Sequence, residues 1–197
     1  MKKIFTLFLV LITTTTLWAY DFKVGDLCYN ITSNTKPYTV KVTDAASSIT
    51  TATIPETVTH NSITYSVTGI GECSFFNCMQ LTSIDIPNSI TYIGYNAFWH
   101  CVNLKSIRIP NSVTRMDASV FSCCYALESV ELPANLTEIA DMTFDDCSAL
   151  KNVTIPQNVI RIGQEAFSNC KSLETIHIPV GVKSIYRSTF KGTAYHQ

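Results

Sequence analysis

A repeat of 23 residues accounts for most of this chain and restricts its fold more than any other feature. The stretch LTSIDIPNSITYIGYNAFWHCVN, residues 81–103, recurs without a gap at 104–126, 127–149, 150–172 and 173–195. A fixed period of roughly 20–50 residues is typical of solenoids, in which each repeat forms one coil and packs on its neighbours. A less regular coil precedes the five copies, so we predict a solenoid of about six coils.

Apolar side chains recur at fixed positions of the copies and predict the core. Three regular columns hold leucine (Leu81, Leu104, Leu127, Leu150 and Leu173), phenylalanine (Phe75, Phe98, Phe121, Phe144, Phe167 and Phe190) and cysteine (Cys78, Cys101, Cys124, Cys147 and Cys170). One repeat is too small to bury these side chains alone. Neighbouring coils must therefore stack to give a continuous core.

Each repeat divides into three short segments. The first, residues 83–87 in one copy, alternates polar and apolar residues and predicts a strand with one buried face, which the proline ends. Gly71, Gly94 and Gly163 share a later position, which predicts a turn with unusual backbone angles. The last segment, NAFWHC in the first full copy, is too short for an ordinary helix, so we expect one helical or 3₁₀ turn.

The motifs L-x-x-I-x-I-P, V/I-x-x-I-G and A-F-x-x-C follow one another in the repeats between residues 54 and 197. In these motifs the chain resembles the BspA-like class of leucine-rich repeats. The resemblance implies a leucine-rich-repeat solenoid of 23-residue coils, with a parallel β-sheet on one face and short helical or 3₁₀ turns on the other. It also implies a secreted or surface protein used for adhesion or protein binding, with no catalytic repeat position.

The chain divides into a signal peptide (1–19), an N-terminal β cap (20–53) and the solenoid (54–197). Residues 1–19 combine Lys2 and Lys3 with a short apolar run, and they end on Ala19, a small residue suited to cleavage. The alternative is a retained membrane anchor, although the apolar run is too short to span a bilayer. We therefore expect a protein that is secreted or on the cell surface and keeps no stable membrane span.

The segment before the repeats predicts a β-hairpin. Residues 27–32 and 38–43 alternate β-branched, aromatic and polar side chains around the turn-like sequence SNTKP. A solenoid needs its end covered, so the hairpin is most simply an N-terminal cap. Extra residues around 59–65 interrupt the first coil before the repeat register resumes at Val67.

Eight cysteines in an exported chain would ordinarily predict disulfides. In the cysteine column, however, neighbouring Cβ atoms would lie about 4.8 Å apart, against about 3.8 Å in a disulfide. We therefore expect buried free thiols in the column. Cys28, Cys73 and Cys123 lie outside it, and a disulfide such as Cys28–Cys73 stays open as an alternative.

No group of residues predicts catalysis, a cofactor or a metal. The histidines are dispersed, and no nucleophile-elbow, zinc-protease, phosphate-loop or zinc-ligand spacing occurs. Asp145 and Asp146 are adjacent carboxylates in a variable segment, which favours a solvated turn over an acid–base pair.

Loss of Lys2 and Lys3 leaves 12 basic and 15 acidic side chains, a net charge of −3, which disfavours nucleic acid as a partner. We expect that the chain is not an enzyme.

The outward face of the predicted sheet is one candidate binding surface. Its central positions, here called the sheet column, are Asp85, Arg108, Glu131, Thr154 and His177. Leucine-rich repeats commonly bind ligands on this face, so the resemblance implies binding there. Alternatively, Asp85, Arg108 and Glu131 lie side by side with alternating charge and satisfy one another, which is worth only a few tenths of a kcal/mol per pair.

A group of aromatic residues outside the core columns is the second candidate surface. Phe76 and Trp99 share one column in adjacent coils, and the polar residues that follow in this column indicate that it faces water. Tyr95 precedes Trp99 by four residues, and Tyr92 lies nearby in the sequence. Clustered exposed aromatic residues often form interfaces, so all four are predicted binding residues. The alternative is that they pack on the cap or on the 59–65 insertion.

The function predicted from these observations is a non-catalytic, secreted or cell-surface leucine-rich-repeat module for protein binding or adhesion. By the family resemblance alone, the partner is a protein, such as a component of a host or neighbouring cell surface. The alternative is a structural role, in which the solenoid associates with itself through its uncapped C-terminal coil, because an open sheet edge invites pairing.

Overall fold

The computed structural model describes residues 20–195, which form a solenoid of fifteen short β-strands without a helix in this range. The predicted signal peptide, residues 1–19, lies outside the described residues. In chain order the strands are β1 Phe22–Val24, β2 Leu27–Ser33, β3 Thr39–Ala45, β4 Thr51–Thr53, β5 Thr57–His60, β6 Ile63–Ile70, β7 Ser83–Asp85, β8 Tyr92–Ile93, β9 Ser106–Arg108, β10 Arg115–Met116, β11 Ser129–Glu131, β12 Glu138–Ile139, β13 Asn152–Val153, β14 Arg161–Ile162 and β15 Ser184–Ile185.

The segment before the repeats forms the predicted hairpin. β2 and β3 pair in antiparallel register, with Tyr29 opposite Val42 and Ile31 opposite Val40, and β1 adds to the edge of β2. β3 then pairs in parallel with β6, so the hairpin continues a sheet of the first coil. Tyr29, Val40 and Val42 are buried, which joins the hairpin to the solenoid core.

The insertion around residues 59–65 forms a second hairpin from β5 and β6. Asn61 and Ser62 make its two-residue turn with φ values of 48° and 64°, as a type I′ turn requires. The ring of His60 stacks on Phe22, with the ring centroids 4.3 Å apart. The insertion therefore packs on the N-terminal hairpin.

Coil 1 ends at residue 80, and coils 2 to 6 are the five copies of the repeat. The predicted strand segment forms β7, β9, β11 and β13, whose central residues, such as Ile107 and Val130, turn inward. The glycine-containing segment forms a second set of strands that the sequence pattern does not predict, namely β8, β10, β12, β14 and β15. The first ladder is interrupted between β7 and β9, and the second between β10 and β12.

The third side of each coil consists of turns, so the expected helical or 3₁₀ turn is wrong. Its N–H groups point alternately across to the next coil and along their own coil. Phe98 donates to the carbonyl of Val120 in the next coil at 2.9 Å, whereas Trp99 donates to Asn96 in its own coil at 3.0 Å. Asn96 and His100 have positive φ, 55° and 60°. A helix does not form because alternate N–H groups are used between coils.

Gly71, Gly94 and Gly163 do not have positive φ, so the expectation of unusual backbone angles at these positions is wrong. Glycine occurs at these positions because the backbones of successive coils approach closely there. A Cβ on Gly94 would lie 2.7 Å from the backbone nitrogen of Glu72, and one on Gly163 would lie 2.6 Å from that of Asp141. Glycine here permits close stacking of the coils.

Stacked phenylalanine rings form the centre of the core. Phe98 and Phe121 lie 5.4 Å apart, and Phe121 and Phe144 lie 5.6 Å apart, measured between ring centroids. The planes of each pair are within about 10° of parallel. The same contact repeats along the solenoid as far as Phe190, so each coil covers the aromatic ring of the preceding one.

The cysteine column is a second ladder beside the phenylalanine rings. The Sγ atom of Cys124 donates to the carbonyl of Phe98 at 3.1 Å, and Cys147 donates to Phe121 at 3.1 Å. Burial raises the pKa of the Cys124 thiol to about 12. All eight cysteines are free, so the column contains the buried thiols that the sequence predicts, and the alternative Cys28–Cys73 disulfide is absent.

Candidate binding surfaces

The sheet column lies on the solvent side of the first ladder, and its five side chains are exposed. Arg108 and Glu131 occupy paired positions of β9 and β11, and Nε of Arg108 lies 3.2 Å from Oε2 of Glu131. Their side chains are 80% and 75% exposed. Solvent therefore screens this ion pair, which contributes about 0–1 kcal/mol.

Asp85 does not complete the alternating charge ladder expected from the sequence. The ladder is interrupted between β7 and β9, and no ion pair joins Asp85 to Arg108 in the described structure. At the other end of the column, Thr154 and His177 share a single parallel bridge. The sheet column is therefore a polar, solvated strip with one weak ion pair.

Four aromatic side chains form a row across the turn side of coils 1 to 3. We call this row, Phe76, Trp99, His100 and Tyr125, the aromatic ridge. The rings of Phe76 and Trp99 stack with their centroids 4.7 Å apart and 12° between their planes. Trp99 and His100 follow at 5.0 Å, and His100 meets Tyr125 edge-on at 5.8 Å. Each ring of the ridge therefore contacts the next.

Hydrogen bonds between coils hold the ridge in place. The N–H of Asn77 donates to the carbonyl of Trp99 at 2.8 Å, and Nδ1 of His100 lies 2.7 Å from Oδ1 of Asn77. Phe76 and Tyr125 are each 44% exposed. The ridge therefore presents rings that are already ordered, which lowers the entropy cost of binding a partner.

Of the four aromatic residues singled out from the sequence, the structure brings together Phe76 and Trp99. Tyr92 lies instead in β8, where its ring covers Gly69 of the preceding coil and burial raises its pKa. Tyr95 is 47% exposed, and its ring makes no aromatic contact within the described residues. Phe76 and Trp99 stack on each other and, in the described structure, on no ring of the cap.

His100 and Tyr125 are ridge residues that sequence reasoning misses. Each stands in a column without other aromatic residues, and their contact depends on the positive φ of His100, which the sequence does not reveal. The expectation that the Trp99 column faces water throughout is also wrong. Ser122 and Ser168, which follow in this column, are buried.

Carboxylates border the ridge at Tyr125. The N–H of Cys123 donates to the carbonyl of Asp145 at 2.8 Å, and Oγ of Ser148 donates to the carbonyl of Tyr125 at 3.4 Å. Coil 4 therefore places Asp145 and Asp146 beside Tyr125. The Cys123 thiol, burial and the two carboxylate charges together raise the pKa of Tyr125. Burial is the main cause that raises the pKa of Asp145, and the charge of Asp146 adds to it.

The second ladder has a separate group of charged side chains, and these are paired with one another. Arg161 binds Glu138 and lies 2.6 Å from a carboxylate oxygen of Asp141. Arg115 lies 2.7 Å from Asp117. Both arginines already have carboxylate partners, so neither the arginines nor these carboxylates are free to pair with a charged ligand. The carboxylates at the border of the ridge have no such cationic partner within residues 20–195.

The described residues contain neither a cluster of metal ligands nor a membrane-spanning helix. Among residues 20–195, no three His, Cys, Asp or Glu side chains are grouped to hold a metal ion. This range also contains no helix that could span a membrane. The thiols of Cys101, Cys124, Cys147 and Cys170 face the core and have no exposed surface.

Comparison with known proteins gives consistent matches to bacterial repeat proteins. Residues 68–196 match the family described as BspA type leucine rich repeat region, in six copies. No curated protein matches the chain. A solved leucine-rich repeat protein from Bacteroides ovatus is 36% identical with a TM-score of 0.82, over 88% of this chain and 45% of its own length.

Two further solved structures are similar. The leucine-rich repeat protein of T. pallidum is 25% identical with a TM-score of 0.77, over 87% of this chain and 78% of its own length. A leucine rich cell surface protein from Faecalibacterium prausnitzii is 27% identical with a TM-score of 0.56, over 79% of this chain and 53% of its own. The chain thus spans less than half of the B. ovatus protein and about half of the F. prausnitzii protein.

Proposed function

Because this chain belongs to the BspA-type leucine-rich-repeat family, we propose that it is a non-catalytic module that binds or adheres to another protein outside the cell. The similar protein from F. prausnitzii is described as a cell surface protein. Export through the predicted signal peptide agrees with such a location. The module is then either secreted or displayed on the cell surface.

The aromatic ridge is the observation that supports protein binding most directly. Contiguous exposed apolar surface commonly marks an interaction site, and aromatic residues dominate the energetic centres of protein interfaces. Phe76, Trp99, His100 and Tyr125 contact one another before any partner is bound. The sheet column offers polar side chains and a solvent-screened ion pair instead. We therefore assign the partner to the ridge.

We infer that the module has no catalytic role. Catalytic groups need perturbed pKa values in a place that substrate can reach. In this chain the strongest increases in pKa fall on thiols such as Cys124 and Cys147, which are buried in the core. Asp145 also has a raised pKa and lies on an accessible turn, and we assign it, together with Asp146, to partner binding.

Capture of proteins from extracellular and cell-surface fractions tests this proposal. Wild type, Trp99→Ala and Arg108→Ala chains are immobilised side by side, and thermal melts confirm that both variants fold. We expect Trp99→Ala to reduce capture at least about tenfold, because it removes a central aromatic anchor. Arg108→Ala, in the sheet column, should capture as well as wild type. Loss of capture in Arg108→Ala alone would move the binding surface to the sheet.

Self-association is a second candidate, favoured by the backbone of coil 6. On the turn side, N–H groups of each earlier coil donate to the next, as Phe167 does to Thr189 at 2.9 Å. The corresponding N–H groups of Ser188, Phe190 and Gly192 have no partner among the described residues. Another coil could supply carbonyl groups there, and in the self-association proposal that coil belongs to a second copy of the chain. Light scattering separates the two candidates, because a mass that rises with concentration favours self-association.

A further inference from the structure

The turn side of coils 1 to 4 has acidic side chains and one histidine, His100, but no lysine or arginine. Its segments 72–80, 95–103, 118–126 and 141–149 contain Glu72, Asp141, Asp145 and Asp146, without a lysine or arginine. The arginines of these coils lie on the strands, as Arg108 and Arg115 do. The turn segments around the aromatic ridge therefore carry a net negative formal charge, which comes from coils 1 and 4 and favours cations over anions.

Asp145 and Asp146 are the two acidic side chains at the border of the ridge. Asp141 is paired with Arg161, whereas neither Asp145 nor Asp146 forms an ion pair within residues 20–195. Both are half-buried. Two adjacent carboxylates that are partly removed from water repel each other, and a cation supplied from outside would relieve that repulsion.

We propose that the aromatic ridge, together with Asp145 and Asp146, recognises a basic segment of the partner protein that presents an arginine or lysine next to an apolar side chain. This inference rests on the protein-binding function proposed above and adds the chemistry of the partner. The apolar side chain packs on Phe76 and Trp99. The cation lies at the Tyr125 end, where it meets both an electron-rich ring and two carboxylates.

Arginine suits this site better than lysine for a geometric reason. Its planar guanidinium pairs with carboxylates through two parallel hydrogen bonds and also stacks on aromatic rings. The 2.8 Å backbone hydrogen bond from Cys123 to Asp145 holds the turn of coil 4 beside the turn that carries Tyr125. We therefore expect one side chain to reach both the ring and the carboxylates. An acidic segment would meet repulsion at the same place.

Selection of random linear peptides on the immobilised chain tests the inference. The selected peptides are then measured against three variants: Asp145→Asn with Asp146→Asn, Trp99→Ala, and a control that removes two exposed charges elsewhere, Glu56→Gln with Glu174→Gln. We expect peptides rich in arginine or lysine beside an aromatic or aliphatic residue. Affinity should fall about tenfold or more in the first two variants, and binding should weaken with added salt. The control should bind as wild type does.

The possible outcomes separate this inference from the function on which it rests. Neutral or acidic peptides whose binding still depends on Trp99 would overturn the basic partner while leaving the ridge as a binding surface. Peptides that bind Trp99→Ala as well as wild type would overturn both. An equal loss in the Asp145 and Asp146 variant and in the control would show a general charge effect and overturn the inference. Failure to select any peptide would also overturn it.

Discussion

Two adjacent phenylalanines in the turn of coil 1, Phe75 and Phe76, differ in burial. Phe75 is fully buried and stacks on Phe98 at 5.1 Å, whereas Phe76 is 44% exposed and stacks on Trp99 at 4.7 Å. Successive side chains therefore point to opposite sides of the turn. The inner stack continues through every coil, but the outer stack ends where the column changes to Ser122.

This difference predicts unequal effects of the same substitution. Phe121→Ala should lower the free energy of unfolding by about 3–5 kcal/mol, because it opens a cavity in the inner stack. Phe76→Ala removes an exposed ring and should cost less than about 1 kcal/mol. Urea unfolding of the two variants measures both values. Similar losses would show that the inner and outer stacks have been assigned wrongly.

The buried thiols predict a loss of stability at alkaline pH. Burial raises the pKa of Cys124 from about 9 to about 12, so the folded state holds a proton that the unfolded state releases. The free energy of unfolding is therefore unaffected by this thiol below pH 9. As the pH rises from 9 toward 12 it decreases by up to about 1.4 kcal/mol per pH unit for each such thiol.

Unfolding under reducing conditions at several alkaline pH values measures this slope. Cys124→Ala should give a shallower decline than wild type, whatever its stability at neutral pH, because one shifted thiol is gone. An unchanged slope would mean that this thiol does not ionise on unfolding.

At the scale of elements, the sequence predicts the first set of strands but not the second set or the backbone of the turns. The S-I-D segments alternate polar and apolar residues, and that period is sufficient to identify β7, β9 and β11. The turn segments depend instead on two positive φ values per coil, at positions that hold Asn96 and His100 in one coil but Met142 and Asp146 in another. Hydrogen bonds between coils impose this backbone even on residues that disfavour positive φ, such as Met142, so residue preference alone does not identify it.

The same reasoning explains how much of the candidate site the sequence could reveal. Phe76 and Trp99 are recognisable because they share a column outside the core. His100 and Tyr125 contact each other because of the turn geometry, which the sequence columns do not show. Tyr92 does not join the ridge, because its ring covers Gly69. Contacts between neighbouring columns require the coil spacing and the backbone angles, which the repeat period alone does not supply.

Coil spacing gives a prediction at the scale of the element. Gly94→Ala should destabilise the chain by about 1–3 kcal/mol, because the new Cβ would meet the backbone of coil 1 and force the coils apart. Gly181→Ala is the matched control, since its Cβ would meet no atom closer than 3.7 Å. It should change stability by less than about 1 kcal/mol. Equal effects in thermal or urea unfolding would argue against a spacing role for Gly94.

At the scale of the whole molecule, the ridge is a property of stacked coils and not of any one repeat. Coil 1 supplies Phe76, coil 2 supplies Trp99 and His100, coil 3 supplies Tyr125, and coil 4 adds Asp145 and Asp146. A solenoid suits this use because each coil is fixed by its neighbours. Variation in the turn residues can then alter the proposed binding surface while the core columns stay the same.

The measurement that tests this account most directly is a nuclear magnetic resonance titration of the labelled chain with a selected basic peptide. Of the two tryptophans, Trp99 lies in the solenoid, so its indole N–H signal reports on the ridge. We predict that the largest shifts occur at Trp99 and in the turn segments of coils 1 to 4, while the amides of β9 and β11 stay unchanged. Large shifts in β9 and β11 with an unchanged Trp99 signal would contradict the account and place binding on the sheet column.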